Sequence, residues 1–337
     1  MLAWLMSFCR TANSCGTETG RALQMSNDRP VVLVTGASGF VGRHLVPVLA
    51  RNGWTVRRAI RTPSAGPGEV VIESIGPATD WRAALADADA VVHLAARVHH
   101  PADQHATALY RSVNVDGTLH LAHCAAEAGV RQFIFVSTVL VHGRSNDGRP
   151  PFSETDALTP RGLYGISKAA AEAGLKTLAQ DCDMRITVVR PPLVYGTAAK
   201  GNFALLVSAV KRGIPLPLAA IHNHRAFLSV ENLSSFILQR LSRADKNFDV
   251  FLVADQEQVS TPEFVERLAK AAGARPRLFA MPTPILSALL RISGRREAHD
   301  SLIGSLELDI SKATAVGWRP QVTLDEGLRL ALSGSDH

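Results

Sequence analysis

Val31-Val-Leu-Val-Thr35-Gly36-Ala-Ser-Gly39-Phe-Val-Gly42 is the stretch from which the rest of the chain is read. Its first five residues are apolar or β-branched with no polar face. That is the pattern of a short strand covered on both sides in a parallel sheet. Glycines spaced G-x-x-G-x-x-G follow, and Gly42 opens a helical stretch that runs to Asn52. Strand, glycine turn and helix in this order suit a pyrophosphate. One glycine permits the tight turn, one lets backbone approach the phosphates, and one lets helix and strand close up. The free N–H groups and positive end of the helix then face the anion. Gly36, Ser38, Gly39, Phe40, Val41 and Gly42 are therefore the first candidates to hold a dinucleotide cofactor.

Working outward, further apolar runs alternate with helix-like stretches. Strands are predicted at Thr55–Ile60 and at 90–94, 132–137 and 185–189, and helices at 116–128 and 163–180. This alternation predicts an α/β fold with a doubly wound parallel sheet. Beyond Arg190 prolines become frequent and elements shorter. One more strand is predicted at 248–254, and a helix at 261–272 with Ser260 or Thr261 as its cap and Pro262 in its first turn. The expected division is an N-terminal extension over 1–28, a dinucleotide-binding domain over 29–190, and a smaller substrate lobe over 191–330. The strand near 248–254 is expected to return to the sheet.

Composition narrows the function classes. The chain has 337 residues, 46% hydrophobic and 20% charged, enough for a sizeable core. Its net charge of +6 comes without a dense Lys/Arg run, which argues against nucleic acid and suits an anionic small molecule. Cys9, Cys15, Cys124 and Cys182 form no CxxC pair, so neither a disulfide framework nor a zinc site is expected, and a reducing cytoplasm is. Residues 1–9 are apolar but far short of the about 20 needed to span a bilayer. They lack the basic start of a signal peptide, and Met25 is an alternative start. His99, His100, His222 and His224 lack further ligands at suitable spacing, so no metal is expected. The apolar run 286–296 with its three arginines reads as a helix packed on the lobe with a solvated basic end.

The chemistry is read from Tyr164-Gly-Ile-Ser-Lys168, which places Tyr and Lys on one helix face. A phenol with an ordinary pKa of about 10 is a poor acid–base group near neutrality. A lysine ammonium, together with an oxidised nicotinamide, would lower it. Tyr164 could then give a proton to a carbonyl oxygen or take one from a hydroxyl, while Lys168 bonds the cofactor ribose. The strand over 132–137 runs into Ser137-Thr138, hydroxyls able to hold the reacting oxygen. The plainer alternative is a solvated helix pair worth a few tenths of a kcal/mol. The second strand ends without a carboxylate, and Arg61 stands where the adenosine ribose edge should lie. Arginine suits a 2′-phosphate, which favours NADP(H) and leaves NAD(H) open.

With these pieces in place, the chain resembles the extended short-chain dehydrogenase/reductases of the NAD-dependent epimerase/dehydratase group. The matching pieces are Gly36 to Gly42, Val92-His-Leu-Ala-Ala96, Asn114-Val-Asp-Gly-Thr118, Ser137-Thr138, Tyr164 to Lys168, Arg190-Pro-Pro-Leu-Val-Tyr-Gly196 and Gly317-Trp-Arg-Pro320. They span residues 30–330. The resemblance implies a Rossmann sheet with a smaller C-terminal α/β lobe. It makes Thr138, Tyr164 and Lys168 the catalytic triad. It places Leu94, Ala95 and Ala96 on the adenosine side, Asn114 in the cofactor set, and Pro191 and Val194 near the nicotinamide. Asn202 and Arg225, with Thr138, would hold a nucleotide sugar, and a homodimer would form through the helices near 116 and 164.

Departures refine this. The family's sugar dehydratases carry Asp-Glu after the catalytic Thr. Val139-Leu140 stand there and cannot move protons. Ser74 stands where the family has an Asp for the adenine amine. Gly201-Asn-Phe through Arg225-Ala-Phe resembles bacterial enzymes of surface-polysaccharide synthesis, among them 4-keto reductases making UDP-N-acetylquinovosamine. The leading expectation is reduction of a UDP-4-keto-6-deoxy-hexosamine at C4. A UDP-hexose 4-epimerase with tightly held NAD is the second reading, and a cofactor-sensing protein without turnover the third.

Overall fold

The computed structural model describes residues 29–64, 66–98, 106–243, 246–292 and 302–333. Met25 and the expected extension, Cys9, Cys15, His99, His100 and the end of the 286–296 run lie outside the described residues.

Along the chain the elements are β1 (Val31–Thr35), α1 (Phe40–Arg51), β2 (Thr55–Ile60), β3 (Glu69–Val71), α2 (Arg82–Leu85), β4 (Ala90–His93) and α3 (Ala106–Arg111). A π turn (Ser112–Asp116) leads into α4 (Gly117–Glu127), followed by β5 (Gln132–Val136), a 3-10 turn (Val139–Val141), α5 (Gly162–Leu178), β6 (Arg185–Arg190) and β7 (Leu193–Tyr195). Then come α6 (Asn202–Lys211), β8 (Phe227–Ser229), α7 (Val230–Ser242), β9 (Phe248–Leu252), α8 (Thr261–Ala271), α9 (Thr283–Ile292), α10 (Ser311–Ala315) and α11 (Leu324–Ser333).

The apolar runs become strands because both of their faces meet protein. Leu33, Val91, Phe133, Phe135 and Ile186 point to one side of the sheet, under Leu121 and Ala125 of α4 and Ala171 and Leu175 of α5. Val32, Val34, Val92, Ile134 and Val189 point to the other, under Leu45 and Leu49 of α1 and Leu233, Phe236 and Ile237 of α7. Seven parallel strands result, in the order β3-β2-β1-β4-β5-β6-β9. This is a Rossmann-type sheet. Its strand order reverses between β1 and β4, and the crevice outside their carboxyl ends is where such sheets bind ligands.

Residues beyond 190 are not confined to a separate lobe. Strand β9 pairs with β6, and α7 covers the sheet face beside α1. Trp318 packs edge-on against Phe236, and its indole N–H donates to Ser235 Oγ at 3.0 Å. The lobe itself is built on the β7–β8 pair and a core of Tyr195, Phe203, Phe227, Phe264, Leu268 and Leu328. Helix α8 begins where Ser260 Oγ accepts the Glu263 N–H at 3.2 Å. Sequence pattern missed β3, β7 and β8, each only three residues long, and α7, most of whose residues are buried.

Candidate active site

The turn after β1 is shaped by what cannot be added to it. Gly36 has φ +70°, and a Cβ there would stand 2.9 Å from Ala95 N. A Cβ on Gly42 would stand 2.3 Å from Gly36 O, so α1 could not start where it does with any other residue. Gly39 caps α1 without a side chain, and the first turn carries no carboxylate. The first N–H groups of α1 have no partner within the helix and face outward. A backbone cradle of donors with no competing anion fits a pyrophosphate, so the residues present fit a dinucleotide. Ser38 is exposed at its lip, where its carbonyl accepts from Arg43 Nε at 2.9 Å, and Phe40 and Val41 are half-buried behind it.

Leu94, Ala95 and Ala96 form the half-buried floor beside this turn, following β4. Asn114 fixes that floor. Its Oδ1 accepts from Arg97 N at 2.7 Å, and its Nδ2 donates to Arg97 O and Ser167 Oγ, both at 3.0 Å. The whole amide is thus occupied in tying the loop after β4 to α5. At the end of β2, Arg61 is exposed and has no ion-pair partner among the described residues. The neighbouring carboxylate, Glu69, is taken by Arg58, Ser64 and Gly66, and the Ser64 bonds hold it below its ordinary pKa. Glu73 and Ser74 are exposed beyond β3.

The candidate catalytic corner forms where β5 ends. Thr138 is extended and caps the 3-10 turn, its Oγ1 accepting from Leu140 N at 3.3 Å. A Cβ on Gly165 would lie 3.0 Å from Leu140 O, so this glycine lets the first turn of α5 press against the turn that Thr138 starts. One helical turn on, Lys168 is 1% exposed. Its Nζ donates to Val136 O at 2.8 Å, lies 4.2 Å over the Phe135 ring and sits 6.0 Å from the centre of the Tyr164 ring. Burial drives its pKa down to about 7, against the pull of Glu172. Burial, then Tyr110, pushes half-buried Tyr164 above the ordinary phenol range. The expected lowering by Lys168 is not found in the chain alone, where the desolvation of a phenolate dominates. Tyr164 is held as a protonated acid.

The adjacent hydroxyls part company. Ser137 turns inward and donates to Glu172, leaving Thr138 at the head of the turn. Behind them, His93 bridges Thr35 Oγ1 (2.6 Å) and Thr118 Oγ1 (3.0 Å), and burial lowers its pKa to about 3. Among the sequence candidates for the nicotinamide and substrate sides, Pro191 is buried and its carbonyl accepts from Val139 N at 2.9 Å, which couples β6 to the Thr138 turn. Val194 is half-buried in β7, and Asn202 is exposed as the first residue of α6. Arg225 is buried, donates to Gly304 O and faces Asp147. The fold therefore gathers Thr138, Tyr164 and Lys168 at one corner and the glycine turn with Leu94 to Ala96 beside it. Arg225 is engaged with the 304–306 segment. Among the described residues, no cluster of three or more metal-ligating side chains occurs, and no helix is long and apolar enough to cross a membrane.

Sequence profiles place this geometry. That of the NAD dependent epimerase/dehydratase family matches residues 32–254. The UDP-glucose 4-epimerase of Vibrio cholerae is 38% identical over 307 residues, covering 88% of this chain and 93% of its own length. The chain belongs to the NAD-dependent epimerase/dehydratase family. Within that family it is also similar to the GDP-6-deoxy-D-mannose reductase of Pseudomonas aeruginosa, 28% identical over 316 residues, 90% of this chain and 96% of the relative. The solved structure of RMD from Pseudomonas aeruginosa complexed with NADPH superposes with a TM-score of 0.68 at 25% identity, over 90% of this chain and 98% of that one. An enzyme of this family thus stands between relatives named as an epimerase and as a reductase. Sequence reading missed Glu172, the partner of Ser137, and the Arg190 and His142 side chains linked to it. Their signal was Glu172 in register with Tyr164 and Lys168 at i, i+4 and i+8.

Proposed function

We propose that this enzyme reduces the 4-keto group of a UDP-linked 6-deoxy-hexosamine, in the cytoplasm and as a homodimer through α4 and α5. The observation that carries the choice of reductase is the end of β2. There Arg61 is exposed without an ion pair among the described residues, and Glu69 is already committed to Arg58, Ser64 and Gly66. A free guanidinium with no ribose-binding carboxylate suits a 2′-phosphate and a cofactor that is exchanged at each turnover. Bound NADPH supplies hydride to C4. Gly36, Gly39, Gly42 and the first turn of α1 hold its phosphates, and Arg61 its 2′-phosphate. Tyr164, protonated by virtue of its burial, gives its proton to the ketone oxygen, which Thr138 orients. Lys168 supplies the positive charge that stabilises the phenolate left behind. Val139 and Leu140 carry no proton, so C5 and C6 are left untouched.

The test is NADPH and NADH oxidation by purified protein with UDP-4-keto-6-deoxy-N-acetylglucosamine, together with assay of nicotinamide released on denaturation. NADPH consumption, no retained NAD and loss of rate in Tyr164→Phe are expected. A second reading, UDP-hexose 4-epimerase, is favoured by the 38% identity to the Vibrio cholerae enzyme and would use the same Thr138, Tyr164 and Lys168. Retained NAD and interconversion of UDP-hexoses without net oxidation would establish that reading instead. Cofactor binding with no turnover, and no effect of Tyr164→Phe in the cell, would leave a sensing protein.

A further inference from the structure

Behind the catalytic corner lies a buried ion cluster that the proposed chemistry leaves unassigned. Glu172 lies one turn beyond Lys168 on α5, and Arg190 ends β6; they are 3% and 4% exposed. Arg190 donates to Glu172 Oε2 from Nε at 3.1 Å and from Nη2 at 2.6 Å. Ser137 gives its hydroxyl to Glu172 Oε1. Arg190 Nη1 lies 2.9 Å from His142 Nε2. Arginine only donates, so that nitrogen accepts and the ring proton sits on Nδ1. His142 stacks on Phe152 with ring centres 5.2 Å apart. One carboxylate therefore joins α5 to the end of β5, to β6 and, through Arg190, to the turn that Thr138 starts.

The charges around Lys168 can be counted from every side. On α5 stand Tyr164 and Glu172; from β4 comes His93, neutral and held by Thr35 and Thr118; from β5 the Phe135 ring and the Val136 carbonyl; from β6 Arg190. Tyr110 faces Tyr164 from α3, and His142, near Asp156, faces Arg190. Two cations and one carboxylate are thus buried together, a surplus of one positive charge. Formation of a Tyr164 phenolate would neutralise it. Without Glu172 the surplus would be two, and an arginine cannot relieve it by losing a proton. The adjustment would fall on Lys168.

We infer that Glu172 is a positioning residue that keeps Lys168 in its ammonium form beneath Tyr164, with Arg190 and Ser137 fixing the carboxylate in place. This rests on the reading of Tyr164 as the proton donor. Glu172 touches neither proposed substrate nor cofactor; it acts through Lys168. The charge, not merely the hydrogen bonds, is what the site needs.

The sequence supplies a readout that needs no substrate, since it contains three tyrosines, Tyr110, Tyr164 and Tyr195. Tyr195 is buried and donates to Asp255 at 2.7 Å, and both burial and that carboxylate push its pKa far up. Near-ultraviolet tyrosinate absorbance would be titrated in full-length protein saturated with NADP+, with Tyr164→Phe identifying the Tyr164 transition. With NADP+ bound, Tyr164 and Lys168 titrate as a coupled pair, in which a forming phenolate holds the ammonium. Glu172→Gln is expected to raise the tyrosinate transition by about one to three pH units, because that ammonium is held less well. Glu172→Asp should leave it near the wild type, and Arg190→Met should not raise it. If Glu172→Gln does not fold, the double variant Glu172→Gln/Arg190→Met removes both charges of the pair. It should show a smaller rise of the same sign, since Glu172 stands one helical turn from Lys168 whereas Arg190 bonds to that carboxylate and not to Lys168. Equal shifts in Glu172→Gln and Arg190→Met, or no rise in a folded variant lacking Glu172, would overturn the inference. Turnover is scored separately. A rise in the transition of a protein that reduces no ketone would sink the proposed function and leave the role of Glu172 standing.

Discussion

The two halves of the candidate active site are built from opposite materials. The proposed cofactor side is backbone: Gly36, Gly39 and Gly42 matter by what they lack, and a single methyl group on Gly42 would meet Gly36 O at 2.3 Å. The candidate catalytic side is buried charge: Lys168, Glu172 and Arg190 are almost wholly removed from water, Glu172 and Arg190 pair with each other, and Lys168 donates to Val136 O. A surface pair such as Arg82–Asp80 has nearly the same closest approach, 2.6 Å, as Arg190–Glu172. Solvent screens the first and leaves it worth little, whereas breaking the second strands a charge in a low-dielectric interior. Equal distances therefore carry unequal consequences, and burial decides which.

That contrast can be broken at either side. Tyr164→Phe should lower kcat by about 10²- to 10⁴-fold, the usual contribution of a positioned acid, while NADPH affinity measured by fluorescence titration is unchanged. A parallel loss of cofactor binding would show that the two sides are not separable. Gly42→Ala should do the reverse. Its Cβ meets backbone rather than a yielding side chain, so the turn must shift, at a cost of about 1–3 kcal/mol in denaturant unfolding and with NADPH binding lost. Arg61→Ala sharpens the comparison, since it removes a charge from the backbone side. A charge-assisted hydrogen bond is worth about 1.5–3 kcal/mol, so kcat/KM for NADPH should fall roughly 10- to 100-fold with NADH little affected. An unchanged cofactor ratio would return Arg61 to the solvent.

The smallest effect concerns pH. Burial lowers His93 to about 3 and His142 to about 4, so both are neutral in the folded chain near neutrality. Unfolded, each takes up a proton below its ordinary value of about 6.5. The stability they contribute is present above that pH and is lost as pH falls toward 4 and then 3. Each group should cost about 1.4 kcal/mol per pH unit within its window. Thermal melts of the cofactor-free protein should therefore give a lower Tm at pH 5 than at pH 7.5. A flat profile would mean that these rings are already protonated in the folded state.

Much of the fold could be read from pattern, because its cues are local. β2 falls on Thr55–Ile60, where alternation alone placed it, and α5 begins within a residue of its predicted start. Helix α7 could not be read in the same way. Its buried positions include Asn232, which donates to Asp255 and Val322 O far along the chain, and Ser235, which accepts from Trp318, while Ser234 bonds back to Val230 O within the helix. The C-terminal half thus returns to cover the sheet, a fact that no composition shift at Arg190 could announce.

The sequence alone determined the glycine turn, the strand–helix alternation and the Tyr164–Lys168 register, because backbone conformation and helical period act over a few residues. Only the tertiary structure decided that Ser137 turns inward while Thr138 caps the 3-10 turn. It also decided that Asn114 is spent on backbone, that Tyr164 is kept protonated, and that Glu172 and Arg190 close a buried cluster. The reason is physical: the charge state of a group depends on how much water and which countercharge surround it. Partners 18 to 53 residues apart in the chain set both here.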